Sequence, residues 1–324
     1  MQDSGIPTAG FQVFSDYEPA RAYVYEQDLP VVIKASGLAL GKGVYVCNTL
    51  QEAEQALEQI MRRSVHGEAG SEVVVEEYLD GPEISVHALS DGKNFILFPP
   101  AQDHKRIGDG DTGPNTGGMG TIAPIPFVSA QTMESIGERI VRPVLQALQK
   151  SGAPFSGVLY PGLKMTSTGP KVLEFNARFG DPETQVYMRL LKSDILDLLE
   201  ACAAGDVSSQ KPEWNSGFAA NIVLASKGYP ESYEKGFPIR GIADAEKKED
   251  VVIFHAGTTY DLPAGASAQA GGELKTAGGR VLGVSAIAPT LRVALERAYA
   301  AAARIEFEGK YFRRDIGVQA LFLG

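Results

Sequence analysis

The chain has 324 residues, of which 44% are hydrophobic and 22% are charged, and its formal net charge is −10. This length exceeds what one compact core supports, so two or three domains are expected. The negative charge argues against nucleic acid as a main partner, because phosphate contacts require a basic face. The two cysteines, Cys47 and Cys202, lack zinc-site spacing and are predicted to be buried thiols in a reducing compartment. A signal peptide and an apolar run of roughly 18–20 residues are both absent from the sequence, which therefore predicts a cytoplasmic protein without a membrane partner.

The first motif is a glycine loop between two short predicted strands. Residues 35–43 read Ala-Ser-Gly-Leu-Ala-Leu-Gly-Lys-Gly, and Lys34 ends the strand before them. Glycines such as Gly41 and Gly43 let backbone amides approach phosphate oxygens closely. Lys42, near the tip of a mobile hairpin, would suit a lid over a nucleotide. The Walker A pattern fails, because Gly43 stands where Ser or Thr belongs. Considered alone, the loop is equally compatible with a hairpin that has solvated lysines.

The next two strands are predicted over residues 72–79 and 83–89, and both carry acids. Glu76 lies near the end of the first strand, and Glu83 opens the second. A strand end with backbone groups and an acid can recognise an adenine amino group, and a second acid can hold ribose hydroxyls. On these residues alone a hairpin with an acidic rim is the simpler interpretation. The lone His87 is predicted to be structural rather than catalytic.

Residues 99–120 form the longest segment without a regular pattern. Such long loops inside compact domains are usually functional or disordered. The apolar ends, and the charged run that begins at Asp103 and includes Lys105, favour an ordered loop. A calcium loop is excluded, because the terminal glutamate of an EF-hand is missing. We therefore interpret this segment as a substrate loop whose glycines let the backbone close on a ligand.

Helices are predicted where a capping residue precedes an apolar stripe of helical period. Runs that resemble capping boxes begin at Ser15 and Thr49. Ser129 begins a long helix that Pro143 should kink and Gly152 should end.

The run Val-Leu-Glu-Phe-Asn-Ala-Arg-Phe-Gly-Asp-Pro-Glu at residues 172–183 begins as a strand. Alternation places Glu174 and Asn176 on one face, and both offer the oxygen ligands that Mg²⁺ takes from proteins. Arg178 follows, with a guanidinium shaped for carboxylate or phosphate. Asp181 is predicted to cap the next helix, with a proline at its first position. A surface strand with solvated charges explains any two of these residues, but the run as a whole favours a metal–phosphate site.

The C-terminal part follows a polar segment at residues 206–217 that is the best linker candidate. Strands are predicted near residues 218–225, 251–256, 273–276 and 280–287, and a helix from 290 to 304. This pattern indicates a separate small α+β domain.

Several motifs together carry a resemblance to a known family. They are the glycine loop, Glu76-Glu-Tyr-Leu79, Pro100-Ala-Gln-Asp-His-Lys-Arg106, Gly113-Pro-Asn-Thr-Gly-Gly-Met-Gly120, Leu173-Glu-Phe-Asn-Ala-Arg-Phe-Gly-Asp-Pro-Glu183, Thr276-Ala-Gly-Gly-Arg-Val-Leu282 and Tyr311-Phe-Arg-Arg-Asp-Ile-Gly317. Over nearly the whole chain they resemble phosphoribosylamine–glycine ligase, also called glycinamide ribonucleotide synthetase, of the ATP-grasp fold. The resemblance implies an α+β fold in which two α+β subdomains grip ATP and a small α+β C-terminal domain follows. The implied boundaries are 1–205 for the ATP-grasp domain, with a lid subdomain near 30–92, then the linker 206–217 and the C-terminal domain 218–324.

The resemblance also implies an activity, the ATP-dependent ligation of glycine to 5-phosphoribosylamine in purine biosynthesis. The reaction passes through glycyl phosphate and requires no protein nucleophile. The implied roles are metal binding (Mg²⁺ or Mn²⁺) by Glu174 and Asn176; phosphate binding by Lys34, Gly41, Lys42 and Gly43; adenine recognition by Glu76 and the Leu79 backbone; ribose binding by Glu83; orientation of glycine and the acyl phosphate by Arg178 and Asp181; and contact with the amine substrate by Asp103, Lys105, Gly117, Gly118 and Met119.

The sequence departs from the family at its beginning. Family members usually start with an α/β domain that helps to build the phosphoribosylamine site and precedes the run Gly5-Ile-Pro-Thr-Ala9. This chain is therefore expected to hold the ATP-grasp and C-terminal parts, with the first domain removed or carried by another chain. Three rival interpretations remain open: a different ATP-grasp carboxylate–amine ligase, a non-catalytic nucleotide-binding fragment, and a kinase.

Overall fold

The computed structural model describes residues 1–37, 43–248, 250–261 and 272–324. Of the predicted site, Gly41 and Lys42 lie outside the described residues. The chain divides into two compact units, Met1–Pro82 with Lys164–Leu173, and Glu83–Leu163 with Glu174–Gly324. The three-part division at 205 and 218 stays a prediction.

The first unit is a four-stranded antiparallel sheet covered on one face by two helices. In sheet order the strands are Phe11–Phe14, Val73–Glu77, Val31–Ala35 and Val44–Cys47. The helices are Tyr17–Tyr25 and Leu50–Leu57, the second continuing as a π-helical turn over Glu58–Arg62, and short 3₁₀ turns span Gln2–Ser4 and Gly67–Gly70. Alternate strand residues, such as Val73 and Val75, are buried in one core with Leu57 and Ile60 of the second helix. The strands predicted on either side of the glycine loop are confirmed.

The two predicted capping boxes have different outcomes. Thr49 Oγ1 accepts a hydrogen bond of 3.2 Å from the backbone N–H of Glu52, so this cap is confirmed. The Glu52 carboxylate accepts one of 2.7 Å from the Asn48 N–H, one residue before the expected partner. The box at Ser15 is wrong, because the first helix begins at Tyr17 and its extended N-cap residue, Asp16, makes no side-chain cap.

The second unit is built on a six-stranded sheet that joins distant parts of the chain. Its strands, all antiparallel, follow the order Val251–His255, Arg280–Ala288, Phe218–Ser226, Gly120–Ala123 and Gln102–Asp103, with Lys310–Tyr311 pairing at one end of Phe218–Ser226. One face packs against Leu291–Ala302, and the other packs against Glu183–Leu190. Thr290 caps the helix Leu291–Ala302, with its side chain accepting from the N–H of Val293.

A five-stranded sheet carries the predicted metal strand at one edge. Ser156–Thr166 leads into Gly169–Asn176, and it pairs with Ala88–Asp91 and Glu83–Ser85, while Phe95–Leu97 pairs with Ala88–Asp91. The strand predicted over 83–89 is therefore interrupted. Its chain changes partners, because Ser85 bonds to the backbone of Ala101 and the carbonyl of His87 accepts from Phe98.

The segment 99–120 is not irregular, which corrects the sequence-based prediction. It contains the strand Gln102–Asp103 and a hairpin formed by Arg106–Gly108 and Thr112–Asn115. Buried Arg313 holds this hairpin: its guanidinium donates to Asp111 Oδ1 at 2.7 Å and to the Arg106 carbonyl at 3.1 Å, and it pairs with both oxygens of Asp315 at 2.8 Å.

The long helix after Ser129 runs as Ala130–Ile136, a π-helical turn Gly137–Val141, and Arg142–Lys150. The irregular turn lies directly before Pro143, which lacks the N–H that would bond to the preceding turn. The remaining elements are the helices Ile195–Ala204, Ile242–Glu246 and Val318–Leu323, the 3₁₀ turn Val207–Ser209, and the paired strands Thr258–Asp261 and Glu273–Thr276. Among the described residues, the helices are all too short or too polar to cross a membrane.

Candidate functional site

The exposed face of the first unit's sheet is unusually apolar. Strand residues that alternate with the core positions point away from the helices, and we call the five valines among them the valine face: Val13, Val32, Val44, Val46 and Val74. Three of them are large exposed hydrophobics, with Val44 47% exposed. Exposed apolar surface of this kind is typical of a ligand-binding surface.

Lys34 and Glu76 lie on this same sheet face and form an ion pair. Lys34 Nζ is 2.6 Å from Glu76 Oε2, and it lies 3.5 Å from the carbonyl of Leu173. Both side chains are less than one-fifth exposed. Leu79 is buried, and the carbonyl of Gly43 accepts from the N–H of Ala35 at 2.9 Å, which closes the base of the glycine loop. The first unit thus holds together the predicted phosphate lysine, the predicted adenine acid and an apolar surface.

The predicted metal pair lies at the end of its strand in the second unit. Asn176 Nδ2 is 3.3 Å from Glu174 Oε1, and Arg178 Nη2 is 3.4 Å from Asn176 Oδ1. The Glu174 side chain is 57% exposed. Among the described residues there is no cluster of three or more His, Cys, Asp or Glu that could hold a metal ion. One carboxylate and one amide oxygen nevertheless fit Mg²⁺, which usually keeps water and substrate phosphate as its other ligands.

Lys105 joins two predicted site acids. Its ammonium group is hydrogen-bonded to Glu83 and lies 3.9 Å from Glu174 Oε1. Burial alone would lower the pKa of Lys105, but the attraction of Glu83 and its hydrogen bond raise that pKa instead. Lys105 therefore stays cationic beside the two carboxylates, and Glu83 is held by a cation rather than free in solvent.

Asp103 and Gly118 are in close contact. The Oδ1 atom of Asp103 is buried and has no hydrogen-bond partner among the residues that the structure describes. Burial, followed by the nearby Glu183 carboxylate, raises the pKa of Asp103 well above its ordinary value. Gly118 has φ +109°, and a Cβ there would lie 2.4 Å from Pro182 Cδ and 2.6 Å from Asp103 Oδ1. Only glycine therefore fits at position 118.

Met119 does not have the geometry of a substrate contact. Its side chain is completely buried in the core of the six-stranded sheet. Its N–H donates to the His104 carbonyl at 2.9 Å, and its carbonyl accepts from Val223 at 3.0 Å. We therefore assign Met119 to the core.

Arg280 links two predicted site segments and was missed by the sequence analysis. Its Nη1 donates to the Gly117 carbonyl at 2.6 Å and to the Asp181 carbonyl at 2.9 Å, while Nη2 donates to Asp181 Oδ2 at 3.0 Å. The Gly117 N–H donates to the hydroxyl of Tyr229 at 2.9 Å. The motif Thr276-Ala-Gly-Gly-Arg-Val-Leu282 was the available signal, but residue spacing alone did not show what its arginine contacts.

The predicted N-cap at Asp181 is wrong. The helix begins at Glu183, and its N-cap residue, Pro182, makes no side-chain cap. Asp181 uses its carboxylate for Arg280 and for Gln185 Nε2, at 3.0 Å each. Glu183 is buried, and its Oε1 accepts from Ser85 Oγ at 2.7 Å and from the Tyr160 hydroxyl at 2.6 Å.

Two buried histidines accept hydrogen bonds from the backbone of turns near the candidate site. The Gly180 N–H donates to His87 Nε2 at 3.0 Å, and the Gly317 N–H donates to His104 Nε2 at 3.0 Å. An Nε2 that accepts cannot carry a proton, so both rings are neutral. Burial lowers the pKa of His87 to about 3 and, together with the charge of Arg313, lowers that of His104 to about 4. The structural role predicted for His87 is confirmed.

Comparisons with known proteins show which family the chain belongs to. A family model described as "Phosphoribosylglycinamide synthetase, ATP-grasp (A) domain" matches residues 1–184, and one described as "Phosphoribosylglycinamide synthetase, C domain" matches residues 219–319. Phosphoribosylamine–glycine ligases from Rhizobium meliloti and Chlorobaculum tepidum are 47% and 48% identical to this chain over 98% and 99% of its length. The chain belongs to the phosphoribosylamine–glycine ligase family. It spans 72% and 74% of those two relatives.

Solved structures support the same family and fold. The phosphoribosylamine–glycine ligase of Thermotoga maritima is 36% identical with a TM-score of 0.82, covering 97% of this chain and 76% of that one. The biotin carboxylase domain of the Hydrogenobacter thermophilus 2-oxoglutarate carboxylase, 18% identical, has a TM-score of 0.70 over 99% of this chain and 67% of that one, which shows a shared fold. As a member of the phosphoribosylamine–glycine ligase family, the chain has the predicted α+β ATP-grasp fold and is an ATP-dependent ligase. ATP-grasp enzymes use ATP and a divalent metal ion.

Proposed function

We propose that this chain joins glycine to 5-phosphoribosylamine, giving glycinamide ribonucleotide, ADP and phosphate, in purine biosynthesis. The observation that carries the proposal is the chain of contacts Glu174–Asn176–Arg178 at the end of one strand, with Lys105 beside it. An acid, an amide and two cations so close together suit a carboxylate that must meet a phosphate. In the proposed reaction, the glycine carboxylate attacks the γ-phosphate of ATP, and the amine then displaces phosphate from the glycyl phosphate.

This chemistry requires positioning and charge neutralisation rather than a protein nucleophile. We assign Arg178 and Asp181 to the orientation of glycine and of the acyl phosphate. Arg178 is tied to Asn176 and to the Phe179 carbonyl, and Asp181 is held by Arg280, so both side chains have fixed anchors.

For the nucleotide, we propose that Lys34, with Gly41, Lys42 and Gly43 of the glycine loop, binds phosphate oxygens. Glu76 and the Leu79 backbone would recognise the adenine, which the valine face would contact through its apolar surface. Glu83 would bind ribose with the carboxylate oxygen that Lys105 does not use.

For the metal, we propose that Glu174 and Asn176 hold Mg²⁺ or Mn²⁺. The ion would supply charge neutralisation to the ATP phosphates. Gly162 leaves the Glu174 carboxylate free to bind the ion. A Cβ at Gly162 would lie 3.5 Å from Glu174 Cγ, and a larger side chain would crowd the carboxylate.

For the amine substrate, we propose contacts with Asp103, Lys105, Gly117 and Gly118. Asp103 has a carboxylate with an elevated pKa, which suits a group that accepts a proton as the amine attacks. Met119 is left out, for the reasons given above.

The test is ATP binding measured calorimetrically with Mg²⁺ for Glu174→Gln. We expect affinity to fall by more than about tenfold, since the loss of an ionic ligand exceeds the ~1.4 kcal/mol that a tenfold change represents. Glu200→Gln is the matched control, because Glu200 is an exposed acid on the helix Ile195–Ala204. Unchanged ATP affinity in Glu174→Gln would remove the metal assignment.

The substrates are tested by ADP release. We expect release that depends on both glycine and 5-phosphoribosylamine, and an amide product. Release with other carboxylates or amines would favour a different ATP-grasp ligase, and binding without release would favour a nucleotide-binding fragment. We also propose the cytoplasm as the location, which is supported by two free, buried cysteines.

A further inference from the structure

A row of polar side chains crosses the six-stranded sheet. Asp103 is paired with Thr121, Thr121 with Asn221, and Asn221 with Ser285, each on the neighbouring strand. Directly opposite residues of antiparallel strands project from the same face, with Cβ atoms about 4.5–5.5 Å apart. We call these four residues the polar row.

The polar row lies on the face that packs against the helix Glu183–Leu190. Ala123 and Ala219, which share its face by alternation, belong to one apolar cluster with Val186 and Leu190 of that helix. Thr121, Asn221 and Ser285 are completely buried. Bulk solvent therefore does not reach these three side chains.

Three of the four residues in the polar row have polar atoms without a partner among the described residues. Asp103 Oδ1, Thr121 Oγ1 and both polar atoms of the Asn221 carboxamide are buried without a hydrogen bond among the residues that the structure describes. Ser285 differs, because its hydroxyl donates to the Ala220 carbonyl at 3.1 Å. Buried polar groups in native proteins almost always have a partner, either protein or ordered water.

Two glycines lie directly against the unpartnered atoms. A Cβ at Gly283 would lie 2.8 Å from Asn221 Oδ1 and 3.3 Å from Nδ2, and a Cβ at Gly118 would lie 2.6 Å from Asp103 Oδ1. An internal water needs two to four polar partners. The unpartnered atoms of Asp103, Thr121 and Asn221 supply them.

We propose that Asp103, Thr121 and Asn221 bind internal water, and that Thr121 and Asn221 are thereby positioning residues for the Asp103 carboxyl. The second half of this inference rests on the proposed function. As the amine attacks glycyl phosphate, the C–N bond forms, the C–O bond to phosphate breaks, and phosphate leaves with its electron pair. The proton released from nitrogen passes to the Asp103 carboxylate. Thr121 and Asn221 hold this carboxylate in place through the internal water.

The charged groups around Asp103 come from several elements. Glu183 faces it from the packed helix and Glu83 from the neighbouring strand, while Lys105 and Arg280 supply positive charge. Hydrogen bonds passed through water to the ionised carboxylate favour its charged form. Removal of Thr121 or Asn221 therefore makes the ionised form of Asp103 less stable. As the pH is lowered, activity that needs this ionised form is then lost at a higher pH than in the unchanged protein.

The water site is tested by the sign of a change in thermal stability. Thr121→Val keeps the shape of the side chain and deletes its hydroxyl. If the hydroxyl binds water together with Asp103 and Asn221, we expect a lower Tm, because the deletion leaves the water and its other protein partners with one hydrogen bond fewer. If the hydroxyl is truly unpaired, its replacement by a methyl raises Tm, and the proposal fails.

Thr121→Ser keeps the hydroxyl, and Asn221→Leu provides a second deletion that we expect to lower Tm. Electron density for water within hydrogen-bond distance of Thr121 Oγ1 is the independent check, and its absence at high resolution would overturn the proposal.

The positioning role is tested by the pH profile of kcat/KM for the amine. We expect its acid limb to move upward by about one pH unit in Thr121→Val and Asn221→Leu, since a hydrogen bond to a charged group is worth that much. Thr121→Ser should keep the limb in place. Ser285→Ala is the matched control, because it lies in the same row but its hydroxyl already has a backbone partner. A limb that stays fixed in all variants, with KM for ATP also unchanged, refutes the positioning role and leaves the water site and the ligase activity to be judged by their own tests.

Discussion

The valine face of the first unit and the polar row of the second depart in opposite ways from the rule that apolar side chains lie inside. In the first unit, Val13, Val44 and Val46 are exposed on a sheet whose other face is a normal core. In the second, Thr121 and Asn221 are completely buried in a sheet whose buried side chains are mainly apolar. A folding chain loses stability at both places. The comparison teaches that each departure has an explanation in binding: we propose a nucleotide on the exposed face and internal water on the buried one.

The largest expected effect comes from a buried polar group that is fully paired. Arg313 is 1% exposed and bonds to Asp111, Asp315 and the Arg106 carbonyl. We expect Arg313→Met to lower the free energy of unfolding by about 3–5 kcal/mol, because it leaves two carboxylates without their cation. Urea denaturation measures this, with the exposed neighbour change Arg314→Met as control. A loss no larger than that of Arg314→Met would show that the ion pairs of Arg313 are not what stabilises the hairpin. It would also weaken the contrast with the polar row.

Acid should produce the next largest effect, through the two neutral histidines. The pKa of His87 falls to about 3 and that of His104 to about 4 on folding, from an ordinary value of 6.5. Their contribution to stability is therefore complete above pH 6.5 and is lost progressively as the pH falls toward those folded values. Between pH 7 and 5.5 we expect a loss of about 2–3 kcal/mol, since the unfolded state binds up to two more protons.

Urea titrations at several pH values check this, and His87→Gln should reduce the slope by about half, since one of the two histidines is removed. A slope that is unchanged by that substitution would mean that His87 is not buried neutral, and that the turn at Gly180 is held in some other way.

The smallest expected effect separates the two faces of the first sheet with one substitution at adjacent residues. Val75 lies in the core, and Val74 lies on the valine face. We expect Val75→Thr to lower the free energy of unfolding by about 1–2 kcal/mol, because it buries a hydroxyl. Val74→Thr should change stability by less than about 0.5 kcal/mol and weaken ATP binding by a few-fold, through loss of apolar contact. Equal ATP affinity in both variants would remove the nucleotide from the valine face.

The sequence predicted those parts of the molecule that depend on local patterns. The strands on either side of the glycine loop, the cap at Thr49 and the helix after Thr290 are found as predicted, because alternation, capping chemistry and helical period act within a few residues. The hairpin at 106–115 was missed, since its anchor is Arg313, some 200 residues further along the chain.

The candidate site shows the same limit. The cluster of Glu174, Asn176 and Arg178 was visible because it lies in one strand and the turn after it. Arg280 was not, because its partners at Gly117 and Asp181 are 163 and 99 residues away. The polar row could not be predicted at all, since it depends on the register of four strands that no local pattern specifies. Met119 was misjudged for a related reason: its neighbours in sequence belong to the loop, but its own side chain belongs to the core.

The position of the strand Phe218–Ser226 has a consequence for how the protein is made. It lies between Gly120–Ala123 and Arg280–Ala288, so the centre of the sheet is assembled from stretches that leave the ribosome far apart in time. Until residue 226 has been synthesised, the strand Gly120–Ala123 keeps an open edge, and the Gly117 carbonyl lacks its guanidinium partner until Arg280 follows. The nascent chain therefore spends much of its elongation with an unprotected edge, and slower translation or a chaperone that shields residues 102–123 should raise the yield of folded protein.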